Sequence, residues 1–343
     1  MNLYEQQASN RRRTWVVMSV FVAFLFLLGY GFDVFYLGVR IPAAALVALV
    51  VGAASSAAGF YGGDRAVLAS AGAVPVETLE SAAPSDADRL KLKQLDNVVE
   101  EMAIASGLPK PKAYVVPDTD PNAFATGRDP AHASIAVTRG LLDALNREEL
   151  QAVVAHEMSH VRNYDSRLLT VVAALVGAIV LLADWAARGM RFGGRGRRSS
   201  EDGKGSAILG IIFLVAWLAA ILLAPLIGRL LAMMVSRRRE YLADASAAEL
   251  TRNPLALASA LQRIEFASEP TTSIKRGTAH LCIADPLGRK AGLREGLVAD
   301  LFASHPPMVK RIAALRAMSY SGQPIGSNHP PQSGGRSIES RVS

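Results

Sequence analysis

Long apolar runs alternate with polar stretches along this chain, and the runs come in two pairs. The first pair covers residues 15 to about 30 and 41 to about 60, with a short gap between them that holds Asp33 and Arg40. Each run approaches the roughly 20 apolar residues that a helix needs to cross the hydrocarbon core of a membrane. The pattern therefore predicts an N-terminal transmembrane hairpin over residues 1–61.

Three consecutive arginines, residues 11–13, stand directly before the first run. A basic flank before an apolar segment is also typical of a signal peptide, but no small-residue cleavage site follows and a second run comes next. Because basic flanks stay on the cytoplasmic side, we expect the N-terminus and the chain after Tyr61 to face the cytoplasm. The predicted location is the cell (inner) membrane, in a multi-pass arrangement.

The second pair of apolar runs is less regular. Residues 168–182 are short for a full span, whereas residues 207 to about 234 are long and contain Pro225 and Arg229. The loop between the runs is basic, which favours a cytoplasmic loop, although two full crossings would export it. A spanning hairpin and one that lies in the membrane interface both stay open for residues 168–234.

One predicted helix carries the candidate chemistry. It begins at Asn146, an N-cap with Glu149 three residues later in a capping-box arrangement, and it contains H-E-M-S-H from His156 to His160. Histidines four residues apart leave the same helix face and can close on one metal ion. Glu157 lies beside them, where it can accept a proton from a water molecule that the metal activates. The motif alone is moderately specific, because two solvated or core histidines give the same pattern.

A catalytic zinc site with two histidines needs a third protein ligand. The positions where some zinc proteases carry a third histidine and a glycine are Ser166 and Asn163 here, so the ligand has to come from elsewhere. Glu240 is the preferred candidate, with Asp244 one turn later to orient a ligand histidine. The alternative is that both acids pair with the arginines at 237–239 on a solvated face.

Composition and charge narrow the classes of protein. The hydrophobic fraction of 50% agrees with membrane segments plus one soluble domain, and the single cysteine, Cys282, excludes an internal disulfide. The net charge of +7 clusters next to apolar runs, so anionic lipid is the expected partner rather than nucleic acid. A transporter needs buried polar residues at mid-span, whereas these runs are plainly apolar apart from Pro225 and Arg229.

Four motifs in order resemble the HtpX family of membrane-bound zinc metalloproteases, which is related to the CAAX prenyl proteases. They are P-N-A-F-A-T-G from Pro121, H-E-M-S-H from His156, R-E-Y-L-A-D from Arg239 and S-H-P-P-M-V-K-R-I from Ser304. The resemblance covers the chain from about residue 11 to about residue 318. It implies a mainly α membrane protein with an α+β zincin-like catalytic domain, in which a small sheet has a substrate-side edge strand.

The resemblance also implies the roles of the site residues. His156, His160 and Glu240 match the ligands of one Zn²⁺ per chain, Glu157 matches the general base, and Asp244 matches a supporting carboxylate. The substrate-side strand, to which an extended polypeptide adds by main-chain hydrogen bonds, is matched by Asn122, Ala123, Phe124 and Ala125. His305 and Arg311 match positions near the site. Two roles stay open for them, contact with the transition state and bracing of the fold. For His305 a third role, the start of a helix, stays open as well.

The resulting prediction is a zinc-dependent endopeptidase that cleaves misfolded or damaged membrane proteins in membrane protein quality control. Its expected partners are unfolded or membrane protein substrates and the lipid bilayer. The alternatives are a CAAX-type prenyl protease, disfavoured because that relative has more spans than the four available here, and a non-proteolytic scaffold or chaperone that retains a zinc site. The predicted segments are 1–61 hairpin, 62–86 linker, 87–167 and 235–319 the two catalytic parts, 168–234 second hairpin, and 320–343 disordered tail.

Overall fold

The computed structural model describes residues 3–33, 42–193, 237–267, 281–284 and 306–321. Within them the helices are α1 Leu3–Phe32, α2 Ala43–Ser70, α3 Val76–Ser81, α4 Asp86–Ser106, α5 Arg139–Ala144, α6 Arg147–Arg162, α7 Asp165–Gly193, α8 Arg237–Thr251, α9 Pro254–Phe266 and α10 Met308–Ser321. The strands are β1 Val74–Pro75, β2 Lys112–Val116, β3 Ala123–Gly127 and β4 Ala133–Thr138.

The four strands form one mixed sheet in the order β1-β2-β4-β3. Strand β2 runs parallel to β4, with Val115 opposite Val137, whereas β3 runs antiparallel to β4, with Ala125 opposite Ile135. All residues of β3 and β4 are buried, so both faces of the sheet are covered. Strand β3 is at the edge of this sheet.

The main core lies on one face of the sheet. It is built from apolar residues of α4, α6, α9 and α10, among them Leu95, Met158, Leu261 and Leu315, each fully buried. A second cluster covers the opposite face and joins Val116 and Phe124 of the sheet to Leu68 of α2 and Leu169 of α7. The sheet is therefore held between the main core and the ends of two long apolar helices.

Local sequence signals explain where the core helices begin and end. Helix α4 begins after Ser85, whose side chain accepts a hydrogen bond from the backbone of Asp88, and it ends at Gly107 in the left-handed conformation. Helix α6 begins after Asn146, and the predicted capping box with Glu149 is present in full. Both helices therefore have defined starts that do not depend on the rest of the fold.

Helices α1, α2 and α7 pack on one another. Small residues allow the close approach: a Cβ on Gly29 of α1 would lie 2.6 Å from the carbonyl oxygen of Ala44, and one on Gly63 of α2 would lie 3.2 Å from Thr170 of α7. Among the residues described, α2 is the one helix that is long and apolar enough to cross a membrane. The predicted multi-pass arrangement stays a prediction, and residues 207–234 lie outside the described residues.

The segment predicted as a linker, residues 62–86, has regular structure instead. It contains the last turns of α2, strand β1 and helix α3. Gly63 in this segment serves helix packing, because it lies against Thr170 and Ala174 of α7. The chain consequently passes from α2 to α4 of the main core through regular structure.

Candidate active site

Two helices bring the predicted metal ligands together. Helix α6 presents His156 and His160, whose Nε2 atoms lie 3.3 Å apart, and α8 supplies Glu240. One carboxylate oxygen of Glu240 is 3.7 Å from Nε2 of His156, and the other is 3.7 Å from Nε2 of His160. Glu240 is only 3% exposed, so the alternative of a solvated charged face does not describe this residue.

The spacing of these donor atoms fits a metal ion. Ligand atoms about 2.0–2.2 Å from a zinc ion at tetrahedral angles lie about 3.3–3.6 Å from one another. The three donors lie within 4.8 Å of one another, with the pairwise separations given above close to that range. Two imidazoles and one carboxylate also match the donor chemistry of catalytic zinc sites. The residues present therefore fit a zinc ion.

A carboxylate lies behind each histidine of the pair. Oδ1 of Asp244 is 3.0 Å from Nδ1 of His156, as predicted for a supporting residue. Nδ1 of His160 is 3.2 Å from Oδ2 of Asp165, a residue that the sequence analysis did not single out. In both rings Nδ1 faces a carboxylate and Nε2 faces the candidate metal site, the arrangement that metal-binding histidines usually adopt.

An arginine backs each of these carboxylates. Arg311 donates from Nε and Nη2 to the two oxygens of Asp244 at 2.8 and 2.7 Å, and Arg239 donates to Asp165 at 2.9 Å. Although burial opposes the charge, Arg311 lowers the pKa of Asp244 to about 2. Burial likewise opposes the charge of Asp165, but hydrogen bonds from His160 and Arg239 hold its pKa below the ordinary value. Both carboxylates are therefore ionised at neutral pH.

The pKa values of the two histidines shift in opposite directions. Burial lowers the pKa of His156 below its ordinary value. Burial also acts on His160, but the carboxylates of Asp165 and Glu240 outweigh it and raise the pKa of that ring to about 9. Burial raises the pKa of Glu157 to about 7. The carboxylates around His160 thus favour a positive charge at this position, and a metal cation between the ligands would also supply one.

Strand β3 runs next to Glu157, and its outer edge is hydrogen-bonded to another segment of the same chain. The four residues predicted on the substrate side, Asn122 to Ala125, are all buried. The backbone N–H of Ile283 donates to the carbonyl of Ala123 at 2.9 Å, and the side-chain amide of Asn122 donates to the carbonyl of Ala284 at 3.1 Å. Residues 281–284 therefore lie beside β3 in this structure, at the edge where substrate addition was predicted.

Arg311, from α10, lies inside the site and has no exposed surface. Besides its two bonds to Asp244 it donates to the carbonyl of Ile283 at 3.1 Å, and it lies 3.4 Å from Glu240. These contacts tie α10 to the ligand helix α8, which favours bracing of the fold among the roles predicted for this residue. His305 lies outside the described residues.

Comparison with known proteins adds the family. The model described as Peptidase family M48 matches residues 89–319. A "Protease HtpX homolog" from Caldanaerobacter subterraneus subsp. tengcongensis is 43% identical over 319 residues, covering 92% of this chain and 98% of that protein. Another from Streptococcus gordonii is 39% identical over 317 residues, covering 92% of this chain and 100% of that protein. The crystal structure of Ste24p from S. mikatae matches 91% of this chain and 67% of that chain with a TM-score of 0.44 and 16% identity.

The family match and the relatives define the class of protein first: it is a metalloprotease. The chain belongs to peptidase family M48 and, within it, to the HtpX proteases. The predicted enzyme class and the predicted family are thereby confirmed. A mostly helical protein with a small mixed sheet, the coarser part of the predicted fold, is confirmed as well.

Proposed function

We propose that this protein is a zinc-dependent endopeptidase that cleaves misfolded or damaged membrane proteins. One zinc ion per chain would be held by His156, His160 and Glu240. The convergence of these three buried or half-buried donors within 4.8 Å of one another is the observation that carries the proposal. When bound, zinc supplies Lewis-acid chemistry: it makes a water molecule nucleophilic near neutral pH and polarises the peptide carbonyl under attack.

Glu157 is the proposed general base. It follows His156 on α6, it is 1% exposed, and it lines the same small cavity as His160 and Glu240. Its carboxylate accepts a proton from the attacking water and then donates that proton to the nitrogen of the leaving amine. Burial raises the pKa of this carboxylate to about 7, and the nearby backbone of Ala125 in β3 opposes that rise.

Asp244 and Asp165 are proposed to orient the two ligand histidines. Each accepts from Nδ1 of one ring and thereby fixes the tautomer in which Nε2 offers its lone pair to the metal. Arg311 and Arg239 hold these carboxylates in place. This chain of contacts keeps the ligands in position before a metal binds.

The substrate is proposed to bind as an extended strand beside β3. Residues Asn122 to Ala125 would offer their backbone groups, as in β-strand addition. Because Ile283 already donates to the carbonyl of Ala123, the substrate and residues 281–284 would compete for that acceptor. The site also lies where β3 meets α7, through a hydrogen bond of 2.8 Å between Thr126 and Thr170. That proximity to a long apolar helix supports substrates presented at a membrane.

The proposed setting is the cell (inner) membrane, with several crossings and the catalytic part on the cytoplasmic side. The arginines at 11–13 support this orientation through the positive-inside rule. Helices α6 and α8 flank residues 168–234 in the chain and meet in one site, so the intervening segment has to return to the side that it left. An even number of crossings, or an interfacial course, satisfies that condition.

The experiment that tests the function uses the full-length chain purified in detergent. Zinc content and cleavage of casein and of an unfolded membrane protein are measured for the wild type, Glu157→Gln and Glu240→Ala. We expect Glu157→Gln to keep its zinc and to lose about 10²- to 10⁴-fold in cleavage rate, since it lacks the base but keeps the ligands. Glu240→Ala is expected to lose zinc.

The matched control is Glu148→Gln, which changes an acid on the same helix away from the site. Glu148 contacts Asn253 at 3.3 Å and none of the candidate ligands, so this variant is expected to cleave at the wild-type rate. Wild-type cleavage by Glu157→Gln would contradict the mechanism, and full zinc content in Glu240→Ala would contradict the ligand set. Cleavage of a folded membrane protein as fast as its unfolded form would contradict the quality-control role.

A further inference from the structure

The first turns of α1, ahead of the apolar run, dock on the end of the helix that carries the histidine pair. The side-chain amide of Gln7 donates to the carbonyl of Arg162 at 2.8 Å, and that of Asn10 donates to the carbonyl of Asn163 at 2.8 Å. The guanidinium of Arg11 lies 4.3 Å from the centre of the Tyr164 ring. The N-terminal segment thus contacts the turn between α6 and α7.

This docking provides hydrogen-bond donors for the carbonyl groups at the end of helix α6. The last carbonyls of a helix have no partner within the helix, and here they are followed by Tyr164 in the left-handed region, with φ of 58°. Side chains from α1 supply the missing donors. Arg162 and Asn163 follow His160 by two and three residues, so α1 docks on the end of α6 that is nearer to the histidine pair.

Asn10 makes a second hydrogen bond that reaches towards the site. Its Nδ2 also donates to Oδ1 of Asp165 at 2.7 Å, and the residue is only 2% exposed. Both partners of this amide, the carbonyl of Asn163 and the carboxylate of Asp165, are pure acceptors, so the amide nitrogen has to face them. The orientation of the Asn10 side chain is therefore determined by chemistry.

A continuous series of contacts therefore connects α1 to His160, a candidate metal ligand. Asn10 and Arg239 both donate to Oδ1 of Asp165, which leaves Oδ2 3.2 Å from Nδ1 of His160. The opposite nitrogen of that ring, Nε2, faces His156 at 3.3 Å. Loss of the Asn10 donor would leave Oδ1 with the Arg239 contact alone, so the Asp165 carboxylate and the His160 ring that it faces would be less firmly oriented.

We propose that Asn10 is a positioning residue of the metalloprotease site, acting on His160 through Asp165. The proposal rests on the proposed function, because it takes His160 as a metal ligand. Helix α1 runs without interruption from Leu3 to Phe32. The helix that leads into the first predicted membrane segment therefore also supports the metal site, and the N-terminal segment is more than an anchor.

The test is a double-mutant cycle on the full-length chain in detergent, read out as zinc affinity by competition with a chelator. Wild type, Asn10→Ala, Asp165→Asn and the double variant are compared. Residues that support a metal ligand from outside change metal affinity by about 10- to 100-fold, so we expect Asn10→Ala to weaken zinc binding about 10-fold. In the Asp165→Asn background the same change is expected to have little further effect, because both substitutions break one path.

Gln7→Ala is the matched control, since it removes a donor from the same docking surface without contacting Asp165. It is expected to lower the melting temperature but to leave zinc affinity unchanged. If Asn10→Ala does not fold, Asn10→Ser gives the same comparison with a shorter polar side chain. Unchanged zinc affinity in the folded Asn10 variant, an equal loss in Gln7→Ala, or additive losses in the cycle would each overturn the proposal. Absence of zinc binding by the wild type would instead contradict the proposed function.

Discussion

At the scale of single residues, the two histidines of α6 are supported in the same way from opposite sides. His156 faces Asp244, which Arg311 holds, and His160 faces Asp165, which Arg239 holds. A carboxylate raises the basicity of the ring, and the arginine keeps that carboxylate ionised and fixed. The supporting groups come from three different helices, so the direction of each imidazole ring depends on the packing of the domain.

The burial of Arg311 gives a prediction at this scale. Its guanidinium is fully buried between Asp244 and Glu240, and removing one partner of a buried ion pair leaves an uncompensated charge. Arg311→Ala is therefore expected to lower the free energy of unfolding by about 3–5 kcal/mol. Thermal unfolding in detergent measures the effect.

The control for this prediction lies one helical turn and a residue further along α10. Arg316 contacts Gln262 at 3.1 Å on the exposed surface, and surface contacts of this kind contribute little. Arg316→Ala is expected to melt close to the wild-type temperature. Equal stability of the two variants would show that Arg311 does not brace the domain.

At the scale of elements, helix α6 is well defined by its own sequence at one end and by its neighbours at the other. Its start has the capping box of Asn146 and Glu149, and the Glu149 carboxylate also accepts from Ser259 and Arg263 of α9 at 2.6 and 2.8 Å. Its end relies on side chains from α1. The start was therefore readable from the sequence, whereas the end was not.

The capping box leads to a prediction about stability. Asn146→Ala removes the side-chain acceptor for the backbone N–H of Glu149 and is expected to cost about 1 kcal/mol of stability. The metal site lies more than two turns away, so the zinc content should stay at the wild-type level. Thermal unfolding and metal analysis of the purified variant check both statements, and loss of zinc at unchanged stability would contradict them.

At the scale of the whole molecule, the long helices and the catalytic domain are one packed structure. Thr170 of α7 bonds to Thr126 and to the backbone of Gly127 in β3, at 2.8 and 3.2 Å, and the same threonine contacts Gly63 of α2. The packing of α2 on α7 is therefore connected to the strand beside Glu157. A change in the packing of α2 on α7 should therefore alter the position of β3 at the site.

Two neighbouring glycines of α2 allow this to be tested with a matched pair. A Cβ on Gly63 would lie 3.2 Å from Thr170 and 3.3 Å from Ala174, whereas one on Gly62 meets nothing within 4 Å. Gly63→Leu is expected to cost about 1–3 kcal/mol through overpacking and to lower protease activity through the displaced β3. Gly62→Leu is expected to leave both unchanged. Equal melting temperatures and activities of the two variants would contradict this coupling.

The sequence by itself determined the features that act over a few residues. The i, i+4 spacing of His156 and His160 and the capping box at Asn146 follow from local periodicity and side-chain chemistry, and the structure contains both of them. The family was also readable, because four short motifs occur in a specific order. Local signals suffice in these cases because the interacting groups are neighbours on one element.

Only the tertiary structure decided what lies around the histidine pair. The sequence left two roles open for Glu240, a metal ligand and a solvated charge. Its burial depends on how α8 packs on α6. Asn10 and Asp165 are 155 positions apart, and the contact of Ile283 with Ala123 spans a similar distance along the chain. No local pattern encodes such contacts, because they form only when the core, the sheet and the long helices pack together and bring distant side chains to one place.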